Sequence, residues 1–224
     1  MSEFPFDIVC FDLDGTLVDS ALDLAPAVNH ALEAAGRPTV KEHQVRDMIG
    51  GGTDAMLTKA LEATGGMVDD AEFERLSQVL LDHYWAHIAD NTVPYDGCLG
   101  ALDVLAQRGC KLAVCTNKSE APARQLLEAL GMTNRFTAIY GGDTLGRENA
   151  KPKGDMIRAA VADCGGDRAA MVGDSTFDMR AAKDAGVAAV ALRFGYHDVP
   201  VAELGGDVLI DHWDELVAAL ENLA

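Results

Sequence analysis

The chain has 224 residues, 49% of them hydrophobic, with a formal net charge of −18. That length predicts a large domain with a smaller companion and enough apolar material for a real core. The charge opposes long-range attraction to nucleic acid or acidic membranes, so neither is an expected partner, and any phosphate site must be made locally positive by a metal, a lysine or backbone amides. No apolar stretch approaches the roughly 20 residues that cross a bilayer. Met1 to Phe6 carries Glu3 and lacks the regions of an export signal, and the five cysteines contain no Cys-x-x-Cys pair. A cytoplasmic protein without a disulfide framework or zinc knuckle is expected.

The first element is the apolar run Ile8-Val-Cys-Phe11, which ends abruptly in Asp12-Leu-Asp14-Gly15. Such a run fits a strand buried on both faces of a parallel sheet, where ligands bind beyond the carboxyl ends of the strands. Residues i and i+2 of a strand share a face, so Asp12 and Asp14 could offer oxygens to one cation. Taken alone, the segment reads equally well as an acidic turn.

From Asp19 to Asn91 the pattern is almost wholly helical. Leu24, Val28, Ala31, Leu32 and Ala35 form one apolar stripe, and Phe73, Leu76, Leu80, Tyr84 and Ile88 form another. Both recur at helical spacing. Gly36-Arg-Pro38 and Gly50-Gly-Gly52 break the helices, and Thr92 to Gly97 returns the chain to the sheet. An insert entering just past Asp14 hangs over the site as a lid. The predicted organisation is a core of residues 1–14 and 95–224 with a helical cap of residues 15–94.

Beyond residue 95 helices and strands alternate. The pattern predicts a helix at Gly97 to Arg108, a strand at Lys111 to Cys115, a helix near Pro122 to Leu130 and a strand at Ala138 to Tyr140. It continues with a helix from Asp155 to Cys164, a strand at Ala169 to Val172, a helix from Phe177 to Ala185, a strand at Val187 to Leu192 and a closing helix from His212. This rhythm predicts an α/β fold, a Rossmann-like doubly wound parallel sheet carrying an inserted all-helical cap.

Three later segments carry chemistry. Thr116-Asn117 places a hydroxyl and amides at a strand end, suited to a phosphoryl oxygen, although a helix cap is the competing reading. Lys151-Pro152 supplies a cation among carboxylates. Met171-Val-Gly-Asp174-Ser-Thr-Phe-Asp178 repeats the opening logic of apolar strand, glycine and aspartate. Magnesium takes oxygen ligands from one or two carboxylates, and Asp12, Asp14 and Asp174 suit it. Magnesium and Lys151 would offset the repulsion among the carboxylates. His83 and His87, four apart, read as ordinary helix residues, and Trp85 and Trp213 as packing anchors. Arg46 is the best basic candidate in its segment for a substrate carboxylate.

In this order, Asp12-Leu-Asp14-Gly-Thr, Thr116, Lys151-Pro and Gly-Asp174-Ser-x-x-Asp178, the chain resembles the haloacid dehalogenase superfamily. It is most similar to the phosphatases that carry a helical cap after the first motif. The resemblance implies that Asp12 is a nucleophile forming an aspartyl-phosphate and that Asp14 is the acid and base. Thr116, Asn117 and Lys151 would hold the phosphoryl group, Asp174 would ligate Mg2+, and Asp178 would orient the site. The stretch around Arg46, the Cys115-Thr-Asn-Lys118 segment and the tail from Arg193 look like bacterial phosphoglycolate phosphatases. That likeness implies 2-phosphoglycolate as the small phosphorylated metabolite. Pyrophosphate or a sugar phosphate, and a non-catalytic phosphoacceptor or ligand-binding module, are the alternatives.

Overall fold

The computed structural model describes residues 4–223. Its first strand, β1 (Ile8–Phe11), is buried at every position. After β1 the chain forms the short β2 (Val18–Asp19) and four helices, α1 (Ala21–Ala34), α2 (Glu42–Arg46), α3 (Thr53–Thr64) and α4 (Asp70–Ala86). It re-enters the sheet region through β3 (Val93–Pro94) and α5 (Cys98–Gln107). Then follow β4 (Lys111–Cys115), α6 (Glu120–Ala129), β5 (Ala138–Tyr140), α7 (Asp155–Cys164), β6 (Ala169–Gly173) and α8 (Thr176–Ala185). The chain ends with β7 (Ala188–Leu192), β8 (Val208–Ile210) and α9 (Leu216–Asn222).

Six strands form one parallel sheet in the order β5-β4-β1-β6-β7-β8. Strand periodicity divides the core between its faces. Val9, Phe11, Val114 and Val172 join one apolar cluster, while Ile8, Cys10, Ala113 and Met171 join the other. Helices α5 and α9 pack on one face, and α7 and α8 on the other. A sheet covered on both faces needs near-continuous apolar strands, which is the pattern these strands carry. The chain runs outward from β1 through β4 to β5, then returns to β6 on the far side of β1. The crevice at that reversal opens at the carboxyl ends of β1, β4 and β6.

In the insert, Leu24, Val28, Ala31 and Leu32 of α1 and Leu76, Leu80 and Tyr84 of α4 are buried, and the two helices pack together. The ends of the insert meet in an antiparallel ribbon, Val18 opposite Pro94 and Asp19 opposite Val93. Beside it the Asp23 carboxylate accepts hydrogen bonds from the amides of Asn91 and Thr92, the Asn91 side chain and the Thr92 hydroxyl at 2.6 to 3.0 Å. The sequence reading marked neither this ribbon nor β8, whose strands are only two or three residues long. Among the described residues no helix is long and apolar enough to cross a membrane.

Candidate active site

Asp12 follows β1 directly, and its amide donates to Val172 O at 3.0 Å, so the β1–β6 ladder fixes its position. Its Oδ1 accepts from the Leu13 amide at 2.7 Å and lies 3.0 Å from Lys151 Nζ. The same ammonium donates to Asp178 Oδ1, and Lys153, exposed, takes no part. The fully buried Asp178 uses its other oxygen to accept from the Ser175 amide at 3.0 Å and hydroxyl at 2.6 Å, capping α8. Asp174, just after β6, accepts from the Thr16 hydroxyl at 2.7 Å and the Tyr196 amide. Gly15 has φ +86°, and a Cβ there would run into Asp174 Oδ2 and the Tyr196 ring, so glycine is required twice over.

One oxygen of each of Asp12, Asp174 and Asp178 lies within 4.8 Å of the others. Burial pushes the Asp12 carboxyl up to about 6, and Asp178 adds to the effect while Lys151 opposes it. Burial, then Asp178 and Asp12, raise Asp174 well above the usual carboxylate range. Lys151 is held charged: burial works against it, but the carboxylates of Asp12 and Asp178 outweigh that penalty. Three buried carboxylates against one ammonium leave negative charge in excess, which is the donor set a hard divalent cation satisfies.

Asp14 is not part of this convergence. Its carboxylate accepts from Ser20 Oγ at 2.6 Å and from Lys118 Nζ at 3.1 and 2.9 Å. The sequence reading grouped Asp12, Asp14 and Asp174; the carboxylates that meet are those of Asp12, Asp174 and Asp178. The i, i+2 argument holds only within a strand, and β1 ends at Phe11, after which the amides of Thr16, Leu17 and Val18 all turn back onto Leu13 O. Lys118 was missed as a site residue, although a lysine two positions past Thr116 at a strand end was a readable signal. It is 8% exposed, with the Tyr84 ring centroid 4.4 Å from its ammonium. Burial again disfavours its charge, and Asp14 more than compensates.

Asp12, Asp14 and Lys118 open into a small cleft between sheet and insert. Asp12, Asp14, Thr116, Asn117 and Lys118 line it from the sheet, and Leu24, Ile49, Gly50, Gly52, Thr53 and Met56 from the insert. Thr116 Oγ1 accepts from the Lys118 amide at 3.2 Å, which leaves its proton to donate. The Asn117 side chain donates to Gly50 O at 3.2 Å and Lys151 O at 3.3 Å, while its buried oxygen has no partner in the protein.

Arg46, expected from its charge and segment to meet a substrate carboxylate, does not line the cleft. Its guanidinium pairs with Asp19 at 3.0 Å and Glu42 at 2.9 Å and lies over the Tyr196 ring. Asp19 sits in β2 at the root of the insert, so the arginine is drawn to the hinge rather than inward. Tyr196, also unmarked by the sequence, accepts there from the amides of Ser20 and Ala21 and donates to Asp19. It thereby joins the Asp174 loop to the start of α1.

A family model described as haloacid dehalogenase-like hydrolase matches residues 9–192. The phosphoglycolate phosphatase of Agrobacterium fabrum is 41% identical over 215 residues, covering 95% of this chain and 91% of that protein. The N-acetylmuramic acid 6-phosphate phosphatase of Pseudomonas aeruginosa is 34% identical over 226 residues, covering 99% and 98%. The crystal structure of a predicted phosphoglycolate phosphatase from Haemophilus somnus matches with a TM-score of 0.89 at 29% identity, covering 98% of this chain and 99% of that one. The chain belongs to the haloacid dehalogenase-like hydrolase family and is a phosphatase within it.

Proposed function

We propose that this phosphatase is a magnesium-dependent phosphomonoesterase acting on 2-phosphoglycolate through an aspartyl-phosphate. The observation that carries the mechanism is the buried Asp12–Lys151–Asp178–Asp174 network at the sheet's carboxyl edge, with Asp12 facing the cleft. Asp12 attacks phosphorus, forming the Asp12–phosphorus bond as the ester oxygen leaves, and Asp14 gives that oxygen its proton. Asp14 then takes a proton from water as the water oxygen attacks phosphorus, which regenerates the Asp12 carboxylate. Thr116 and Asn117 hold the phosphoryl oxygens; Lys151 orients Asp12 and opposes the charge that builds up. Asp12 and Asp174 would hold Mg2+, which supplies positive charge to the transferring phosphoryl group. Asp178 positions Lys151.

In this reading residues 1–14 and 95–224 are the catalytic core, and residues 15–94 are a lid that excludes water from a cytoplasmic enzyme's site. Support for the substrate comes from the Agrobacterium fabrum relative. The Pseudomonas aeruginosa relative supports a second reading, a sugar phosphate. Catalytic efficiencies for 2-phosphoglycolate, ethyl phosphate, pyrophosphate, glucose 6-phosphate and N-acetylmuramic acid 6-phosphate, with Mg2+ and after chelation, separate the two. The first substrate is expected to rank highest and to lose turnover on chelation; a higher rank for either sugar phosphate favours the second reading.

A further inference from the structure

We propose that Lys118 is the specificity-determining residue of the cleft, binding the carboxylate of the substrate's alcohol portion in exchange for Asp14. This rests on the reading of the cleft as a phosphoglycolate site. Among the residues that line the cleft, Lys118 alone is basic. In a chain of formal charge −18, an anionic group entering there has no other cationic side chain on the wall to meet. Lys151, the neighbouring lysine, already has both Asp12 and Asp178 as partners and a fully buried side chain. The Lys118 ammonium has three donors, and its one carboxylate partner is Asp14, at 2.9 and 3.1 Å. The Tyr84 ring on its flank, its centroid 4.4 Å from the ammonium, supports the cation.

Position favours a short phospho-acid. Lys118 comes two residues after Thr116, so one loop at the end of β4 presents both a phosphoryl donor and a cation to the same cleft. The ion pair with Asp14 gives recognition a second consequence. While Lys118 grips both Asp14 oxygens, that carboxylate is directed at the lysine and not at a leaving group. A substrate carboxylate competing for the ammonium loosens that grip, and Ser20 still holds one Asp14 oxygen at 2.6 Å, so the aspartate stays beside the cleft. A phosphate ester whose alcohol portion carries no carboxylate offers no such exchange.

The test compares 2-phosphoglycolate with ethyl phosphate, which differ at the carboxylate, in the wild type, Lys118→Met and Lys118→Arg. Lys118→Met is expected to impair both substrates unequally. Its preference for phosphoglycolate in kcat/KM should fall by about 10- to 100-fold, with KM for phosphoglycolate carrying much of the loss. Lys118→Arg, which keeps the charge, should retain most of the preference. If the wild type prefers phosphoglycolate and both variants keep that preference, or both lose it equally, Lys118 does not select the carboxylate. If the wild type shows no preference, the phosphoglycolate reading itself fails, and this inference with it. Thermal melts establish that each variant is folded; should Lys118→Met not fold, Lys118→Gln against Lys118→Arg makes the same comparison.

Discussion

The two walls of the cleft are built from opposite materials. On the sheet side Asp12 lines the cleft, and behind it Asp178 and Lys151 are buried and joined to it by ion pairs and hydrogen bonds, with the buried Asp174 beside them. On the insert side stand Leu24, Ile49 and Met56 with Gly50 and Gly52, both at positive φ. The difference separates two tasks. Charges that must be in place before phosphoryl transfer are held rigidly at strand ends, where no reorganisation is needed as charge develops. In the proposed role of a lid, the insert side would offer the cleft a mostly apolar wall that excludes water. Its ties to the sheet side include the Asn117–Gly50 hydrogen bond, the Arg147–Asp54 ion pair and the hydrogen bonds of Tyr196 to Ser20, Ala21 and Asp19.

The sharpest way to break this division is to disable the sheet wall chemically while keeping its shape. Asp12→Asn is isosteric, so the far-ultraviolet circular dichroism should match wild type while turnover falls by about 10³-fold or more. Near-normal turnover in the folded variant would remove Asp12 from the nucleophile's role. A second test concerns charge compensation. Lys151→Met strands the Asp12 and Asp178 carboxylates, and breaking such a buried pair costs about 3 kcal/mol or more, readable by urea titration. A midpoint equal to wild type would show that Lys151 is dispensable to that wall's stability.

The hinge gives a smaller, pH-dependent effect. Asp23 is 2% exposed, and burial raises its carboxyl, but hydrogen bonds from Thr92 and Asn91 outweigh that and hold it below the usual 3.8. Because the folded value is the lower one, this stabilisation is complete above about 3.8 and is lost as the pH falls through the folded value. Asp23→Asn should therefore cost about 1 to 3 kcal/mol at neutral pH, with the gap to wild type closing in acid. A gap that stays constant down to pH 2 would assign the loss to packing instead. The smallest effect is expected at Arg46. Removing its partly exposed ion pairs by Arg46→Ala should cost at most about 1 kcal/mol and leave the phosphoglycolate to ethyl phosphate ratio within about twofold, since tenfold needs about 1.4 kcal/mol of discrimination. A large drop in that ratio would return the carboxylate to the cap.

Much of the fold was legible because its signals are local. Strand runs such as Lys111–Cys115 and Ala138–Tyr140, and the helical insert after β1, emerge where apolar periodicity places them. The site was legible in part for the same reason: Asp12, Thr116 and Asp174 each stand just past an apolar strand, and in a parallel sheet those positions share one edge. What the sequence does not show is side-chain direction after the chain leaves a strand. Asp14 was grouped with Asp12 by a strand rule, yet its carboxylate pairs with Lys118, and Arg46 was chosen by its charge, yet it pairs with Asp19.

The sequence by itself determined an α/β fold with a helical insert, since element type and the residues at strand ends follow from periodicity and spacing within a few positions; the phosphatase class was implied by the family resemblance of its motifs. Tertiary structure alone decided which carboxylates converge, that Lys118 rather than Arg46 reaches the cleft, and that Tyr196 joins the Asp174 loop to the root of the insert. Those pairings span up to 177 residues. No local pattern encodes them, because each depends on where folding brings two distant backbones and on which partner is then near enough to offset the cost of burying a charge.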